Sequence, residues 1–147
     1  MYDSSMSRLD FQYDVGSSHD QVTVDATDLG GYNSQGRIVL GYTNYYWDGT
    51  GQLTFASIQI NTNAAANWCV DNIGQQCGTS NQFLRHSVGH ELGHGLGLNH
   101  PVQGPYSVLM ECTQWTGEYS NVQTDDRNGE NFLYSGTSHA QPGSVPC

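Results

Sequence analysis

The chain has 147 residues, 14 acidic side chains, four basic side chains and a formal net charge of −10. This length fits one domain, residues 1–147, with a single hydrophobic core. The charge excludes nucleic acid and anionic membranes as favoured partners, because both would repel the chain. No apolar run approaches the roughly 20 residues that cross a bilayer, so we expect a soluble monomer. Met1 is followed by polar residues, which indicates a mature or excised domain without its signal peptide.

Four cysteines, Cys69, Cys77, Cys112 and Cys147, show no C-x-x-C spacing of the zinc or redox type. They can form two disulfides in three ways, and we expect Cys69–Cys77 and Cys112–Cys147. Four free thiols in a reducing compartment are the alternative. The many Asn, Ser, Thr and Gly residues favour a secreted, extracellular protein, in which disulfides persist.

Three strands are predicted in the first part of the chain. Apolar and polar residues alternate over 20–25, which is typical of a half-buried strand. A second strand is predicted over 36–42 and an aromatic turn over 45–49. A third strand is predicted over 53–60, where Phe55 is out of phase with the later isoleucines. This change of phase indicates either a bulge or a covered second face.

Two helices are predicted in the second part of the chain. The first begins near 79–80, where a Thr-Ser pair can cap the free N–H groups. Leu84, Val88 and Leu92 recur every four residues and are expected to form its buried stripe. The second helix begins near Thr124, which is followed by two aspartates that favour the first turn.

The pattern H-E-x-x-H-x-x-G-x-x-H lies at the end of the first predicted helix. His90 and His94 are four residues apart and therefore share one helix face. Gly97 can adopt a positive φ and turn the chain, so that His100 returns as a third ligand. Three neutral imidazoles that leave one position for water are typical of a catalytic zinc site. Glu91, beside the first histidine, can act as general base on that water.

This motif resembles the zinc-binding motif of the metzincin metallopeptidases. Residues 107–110 are similar to the metzincin Met-turn, in which Met110 would form a hydrophobic floor beneath the metal. Residues 124–134 resemble the last helix of the matrixins, with an acidic pair, a glycine and a closing Leu-Tyr. Residues 20–25 and 55–62 are similar to sheet strands of bacterial matrixin-like enzymes.

The resemblance implies an α+β, zincin-like fold. A twisted mixed β-sheet, an active-site helix and a C-terminal helix would surround a cleft. The cleft would separate an upper subdomain, about residues 1–97, from a lower subdomain, about residues 98–147. In matrixins the acidic pair, here Asp125 and Asp126, ties the last helix to the Met-turn. The alternative is that both aspartates only complement the helix dipole.

The resemblance also implies a zinc endopeptidase that cleaves extended protein or peptide substrates. In matrixins the substrate pairs with an edge strand that corresponds to 36–42 here, and therefore to Arg37, Ile38, Val39 and Leu40. Structural Ca²⁺ is a second candidate cofactor, since the chain is acidic. An inhibitory propeptide or a protein inhibitor is a further expected partner. The alternative function is a non-catalytic, zinc-containing protein-binding module on the same fold.

Metal binding requires neutral imidazoles, so acid should release the zinc. With ordinary histidine pKa values, we expect activity to fall below roughly pH 5–6. His86 extends the histidine series one turn backwards. A fourth helical ligand would take the position of the water, so we expect His86 to lie beside the site or at the surface.

Overall fold

A computed structural model describes residues 22–49, 53–69, 82–101, 108–112 and 122–133. Within this part of the chain, the protein is an α+β fold with a mixed three-stranded sheet, a two-stranded ladder and two helices. None of the described helices is long and apolar enough to cross a membrane. The elements are β1 (Val22–Thr27), β2 (Gly41–Trp47), β3 (Leu53–Asn61), a short 3₁₀-helix (Ala64–Ala66), β4 (Trp68–Cys69), β5 (Gln82–Phe83), α1 (Leu84–Gly95) and α2 (Thr124–Leu133).

The central strand of the larger sheet is β3, which pairs in parallel with β1 and antiparallel with β2. Its apolar side chains alternate, and the buried ones are Ala56, Ile58 and Ile60. Phe55 lies on the opposite face, where its ring is 5.7 Å from the ring of Tyr46. Phe55 is half-buried and Tyr46 is 55% exposed, so the second face of the sheet is only partly covered there. A register shift also occurs in β2, between Tyr46 and Trp47.

The second strand begins later than the sequence predicted. Residues 37–40 belong to no strand, and residues 45–47, predicted as part of a turn, continue β2 instead. The reason is a competing set of hydrogen bonds. The carbonyl oxygens of Val39 and Leu40 accept from the side chain and the backbone N–H of Asn61, at 2.7 and 2.9 Å. Residues 39–40 are therefore bonded to Asn61, the last residue of β3, and the regular ladder between β2 and β3 begins only at Gly41.

Asn61 is fully buried at the end of β3, and its side chain uses its whole hydrogen-bonding capacity. Its amide oxygen accepts from two backbone N–H groups, and its amide nitrogen donates to two carbonyl oxygens. The N–H groups belong to Leu29 and Asn63, at 3.0 and 2.9 Å, and the carbonyl oxygens to Gly30 and Val39, at 2.9 and 2.7 Å. The backbone oxygen of Asn61 also accepts from the indole of Trp68 at 2.6 Å. A single amide therefore holds several loop segments at this end of the sheet.

The buried face of α1 differs from the predicted one. Leu84, Val88 and Leu92 are only half-buried. The buried residues are His86, Ser87, Gly89, His90, Glu91, Gly93 and Gly95. A Cβ atom on Gly95 would lie 3.4 Å from Ile58 Cδ1 and 3.5 Å from Ala56 Cβ, so the helix approaches β3 closely. Small residues permit this approach, and the polar buried residues form the site described below. The predicted helix start near 79–80 is wrong, because Gln82–Phe83 form β5 and α1 begins only at Leu84.

Gly97 ends α1 with a φ of +89°, which confirms the predicted left-handed residue. Two backbone hydrogen bonds close the helix. The Gly97 N–H donates to the backbone carbonyl oxygen of His94 at 2.8 Å, and the Leu98 N–H donates to that of Gly93 at 2.9 Å. This pair of bonds is a Schellman motif, which satisfies carbonyl groups that the helix end would leave without partners. The turn directs the chain back towards the helix, where His100 follows.

The second helix starts at Thr124, as predicted. The N–H of Arg127 donates to the carbonyl of Gln123 at 3.2 Å, so the residue before the helix is its cap. Asp126 then accepts from the Gln123 N–H at 2.7 Å, as an acidic third residue does in a capping box. Below the helix lies a cluster of buried apolar side chains. Its members are Leu96, Leu98, Leu109 and Met110, with Leu92, Val122 and Leu133 packed against them.

Glu130 lies one turn after Asp126 and is only 2% exposed. Neither carboxyl oxygen has a hydrogen-bond partner in the described part of the chain. Burial raises the pKa of Glu130 to about 7, because a buried carboxylate loses its hydration. The folded protein therefore holds this proton more tightly than the unfolded chain, in which the group titrates near 4.5. The free energy of unfolding is therefore not reduced by Glu130 below about pH 4.5, and it falls as the pH rises from there to about 7.

We therefore expect Glu130→Gln to stabilise the fold at pH 8 by about 1–3 kcal/mol, because the neutral amide avoids the buried charge that raises the pKa from 4.5 to about 7. At pH 5 the gain should be much smaller, because the wild-type carboxyl is then mostly protonated. Urea unfolding of the wild type and the variant at both pH values measures the difference. An equal gain at pH 5 and pH 8 would mean that ionisation of Glu130 does not limit stability.

Candidate metal centre

Three histidines meet at the end of α1. His90 and His94 lie one turn apart on the helix, and His100 returns after the Gly97 turn. The Nε2 atom of His100 lies 3.1 Å from His90 Nε2 and 3.0 Å from His94 Nε2. Among the described residues, this triad is the convergent group of metal-ligating side chains, and no acidic cluster accompanies it as a calcium site. The structure thus brings together all three predicted ligands.

The spacing of the three nitrogens fits a zinc ion. Tetrahedral Zn–N bonds of about 2.0–2.1 Å place neighbouring ligand atoms about 3.3 Å apart. The two measured separations, 3.1 and 3.0 Å, are close to this value. Three imidazoles leave a fourth tetrahedral position, which is the arrangement of catalytic rather than structural zinc sites.

The hydrogen bonds of the two helical histidines determine which ring nitrogen is protonated. His90 Nδ1 lies 2.9 Å from the carbonyl oxygen of Leu109, and His94 Nδ1 lies 2.8 Å from that of Leu98. A carbonyl oxygen only accepts, so each Nδ1 must carry the proton. Each neutral ring therefore points an Nε2 lone pair at the centre of the triad. These Nε2 atoms face His100 Nε2 at 3.1 and 3.0 Å, and as free lone pairs they are the atoms that would bind a cation.

Burial keeps both helical imidazoles neutral. Burial, together with a smaller effect of the neighbouring His94, lowers the pKa of His90 to about 3, against the opposing effect of the Leu109 carbonyl. Burial likewise lowers the pKa of His94 to about 4, opposed by the carbonyl of Leu98. Neutral imidazole is the form that binds metal, so the site is prepared for a cation at neutral pH without first losing protons.

Glu91 follows His90 on α1, is 7% exposed and turns its side chain towards β2. The hydroxyl of Thr43 lies 2.6 Å from Glu91 Oε2 and 3.1 Å from the Glu91 carbonyl oxygen. Burial raises the pKa of Glu91 to about 7, although the Thr43 hydrogen bond opposes the shift. A carboxylate with a pKa near neutrality suits a general base, which must accept a proton and later release it.

The predicted Met-turn lies directly beneath His90. Residues 108–110 form a turn, and the carbonyl of Leu109 is the acceptor for His90 Nδ1. Met110 is 3% exposed and belongs to the apolar cluster below α2. Asp126, 4% exposed, accepts from the N–H groups of Leu109 and Met110 at 3.2 and 3.3 Å. This carboxylate therefore ties the last helix to the turn, as the comparison with matrixins implied, whereas Asp125 is exposed.

Other predicted residues lie away from the triad or outside the described residues. Arg37, Ile38, Val39 and Leu40 precede β2 and lie in no strand, so the strand prediction is wrong for them, while their role towards a substrate stays a prediction. Cys69 and Cys112 are both disulfide-bonded, which rules out the alternative of free thiols at these positions. Cys77 and Cys147 lie outside the described residues, so the pairing remains a prediction. His86 is 3% exposed and its ring stacks near that of His90, beside the triad.

Sequence reasoning missed two residues that contact Glu91. Gly41 and Thr43 lie on β2, 50 and 48 positions before the glutamate, so no local spacing connects them to it. A glycine within a strand can mark the close approach of another group, and Gly41 was a usable signal of that kind. Asn61 was also missed as an organising residue. Searches for similarity found no protein-family model and no curated protein that matches this chain.

Proposed function

We propose that this chain is a secreted zinc endopeptidase with a metzincin, matrixin-like fold. The observation that carries the proposal is the His90–His94–His100 triad, in which His100 Nε2 lies 3.1 and 3.0 Å from the Nε2 atoms of His90 and His94, with Glu91 directly after His90 on α1. Both helical histidines are oriented by carbonyl oxygens, an arrangement characteristic of built metal sites. The disulfide-bonded Cys69 and Cys112 favour an oxidising, extracellular location.

Bound Zn²⁺ would supply a Lewis acid that lowers the pKa of a coordinated water towards about 7 and polarises the scissile carbonyl. The protein supplies the proton transfer. Glu91 takes the proton from the attacking water as the C–O bond forms, and then donates it to the leaving amine as the C–N bond breaks. The three imidazoles stay neutral and serve only as ligands. Because water is the nucleophile, hydrolysis by this mechanism requires no covalent intermediate between enzyme and substrate.

The substrate would lie as an extended strand beside β2. Within the described sheet, β2 is one of the two outer strands in the order β1–β3–β2, and it is the one that pairs antiparallel with β3. Gly41 and Thr43 place this strand directly against Glu91. Backbone pairing with β2 would hold a peptide by β-augmentation and bring its scissile bond near the triad. In this proposal β2, rather than residues 37–40, pairs with the substrate.

The direct test is cleavage of a diverse peptide library, with mass-spectrometric readout and metal analysis of the same sample. We expect cleavage that a chelator abolishes and that one equivalent of Zn²⁺ restores. A zinc-loaded wild-type protein that is inert on every peptide would contradict the proposal. That result would favour the alternative of a non-catalytic, zinc-containing binding module.

The pH dependence should separate Glu91 from its histidine neighbours. The pKa of Glu91 is raised to about 7 by burial, and a nearby cation would lower it from there. The pKa values of His90 and His94 are lowered to about 3 and 4. We therefore expect kcat/KM to fall on acidification within the range of about pH 7 to 4, while zinc stays bound. Kinetics and zinc retention measured at each pH test this; simultaneous loss of zinc and activity near pH 6 would contradict it.

A further inference from the structure

The face of β2 that turns towards α1 carries small or hydroxyl-bearing residues at alternate positions. Gly41 and Thr43 are two apart, so they lie on the same face of the strand. The side chain of Glu91 reaches across from α1, accepts a hydrogen bond from Thr43 and occupies the space that a Cβ atom on Gly41 would fill. The two elements are also neighbours in the fold, since α1 packs on both β2 and β3. The strand thus forms one wall around the glutamate.

Gly41 makes room for the glutamate. A Cβ atom at this position would lie 2.5 Å from Glu91 Cγ and 2.7 Å from Glu91 Oε1. Contacts this short are not tolerated between side chains, so any residue other than glycine would displace Glu91. The backbone of β2 therefore fixes the path of the glutamate side chain from one side.

Thr43 fixes the end of the same side chain. Its hydroxyl lies 2.6 Å from Glu91 Oε2, the distance of a strong O–H···O⁻ hydrogen bond, and 3.1 Å from the Glu91 carbonyl oxygen. The hydroxyl has one proton, and the shorter, charged contact receives it preferentially. Thr43 is β-branched, so its χ1 angle is restricted and its hydroxyl keeps one direction. The second carboxyl oxygen, Oε1, faces Gly41 instead.

We propose that Thr43 is a positioning residue, which holds one oxygen of the Glu91 carboxylate so that the carboxylate keeps a single orientation on the helix that carries His90 and His94. The inference rests on the proposed function, because it gives Glu91 the role of general base. Positioning matters for such a base, since a displacement of about 1 Å can lower a rate about 100-fold. The strand proposed to pair with substrate thus also orients the base.

The kinetic experiment compares Thr43→Val with Thr43→Ser in the zinc-loaded protein. Valine keeps the branched shape and the preference for a strand but removes the donor, whereas serine keeps the donor. We expect Thr43→Val to lower kcat about 10–100-fold with KM changed less than about threefold, and Thr43→Ser to stay within about threefold of wild type. Thr54→Val is the matched control, because the Thr54 hydroxyl donates to Tyr46 at an exposed position of the same sheet.

A spectroscopic measurement follows the hydrogen bond itself, in metal-free and zinc-loaded protein. Infrared difference spectra of wild type and Glu91→Gln identify the carboxyl band of Glu91. We expect Thr43→Val to shift this band in the metal-free protein, and Thr43→Ser to leave it in place. An unshifted band in Thr43→Val, an equal loss of kcat in both variants, or a loss confined to KM would overturn the inference.

The two proposals fail in different ways. A wild-type protein that cleaves no peptide contradicts the peptidase function, while the infrared band still reports whether Thr43 holds Glu91. An active wild type with an unaffected Thr43→Val variant contradicts only the positioning role. Thermal unfolding of the variants shows whether each still folds. Gly41→Ala is a second variant that should displace the Glu91 side chain, and it leaves the Thr43 hydroxyl intact.

Discussion

Glu91→Gln should abolish peptide hydrolysis while the protein still binds one zinc ion. Glutamine has nearly the shape of glutamate and can still accept from Thr43, so the wall formed by β2 should be preserved. The neutral amide cannot take a proton from water. General acid–base catalysis contributes about 10²–10⁴-fold, so we expect kcat/KM to fall by a factor in that range. Steady-state kinetics and metal analysis of the same preparation measure both quantities.

His94→Ala is the natural comparison for this variant. It removes a ligand rather than the base, so zinc and activity should be lost together. Glu91→Gln should lose activity alone. If Glu91→Gln retained near wild-type kcat/KM at full zinc occupancy, the base would have to be another group and the proposed mechanism would be wrong.

Asp126→Ala should produce the largest loss of stability among the substitutions considered, about 3 kcal/mol or more. The Asp126 carboxylate accepts from three backbone N–H groups, and alanine offers none of them an acceptor. They belong to Leu109, Met110 and Gln123, at 3.2, 3.3 and 2.7 Å. Hydrogen bonds to a charged group contribute about 1.5–3 kcal/mol each, and the buried donors would lose their partner.

The same substitution should weaken zinc binding. Asp126 holds the turn whose Leu109 carbonyl orients the ring of His90. Loss of such an orienting partner typically costs about 10–100-fold in metal affinity. Urea unfolding of the metal-free protein and competition with a chromophoric chelator give the two values. Asp125→Ala is the matched control, since Asp125 is exposed in the same helical turn and should contribute only about 0.3–1 kcal/mol. Equal losses in the two variants would contradict the role assigned to Asp126.

The parts of the site that were predictable are those set by local sequence. His90, His94 and His100 lie within eleven residues, and one helical turn followed by one left-handed glycine brings them together. The start of α2 at Thr124 was predictable for the same reason, because the acidic first turn follows directly. Short-range geometry leaves few alternatives, so residue spacing alone was sufficient.

The parts that were not predictable depend on contacts between distant residues. The hydroxyl of Thr43 meets Glu91 across 48 positions, and only the packing of α1 on the sheet creates that contact. The expected stripe of Leu84, Val88 and Leu92 failed because periodicity assumes an apolar core. Here the sheet side of the helix accommodates glycines and the polar site. The start of β2 was predicted too early, because the carbonyl oxygens of Val39 and Leu40 accept hydrogen bonds from the buried Asn61, a contact that sequence spacing does not show.

The amide of Asn61 also has a consequence for how this end of the domain opens. It joins the backbone at Leu29, Gly30, Val39 and Asn63 through four hydrogen bonds. Losing any one of these segments would remove a hydrogen-bond partner from the fully buried Asn61 amide, so local fraying of a single loop is disfavoured. Aspartate cannot supply the two donors and leucine can supply neither role. The crossover between β1 and β2 should therefore exchange its amide hydrogens as one cooperative unit, with protection set by a single side chain rather than by strand length.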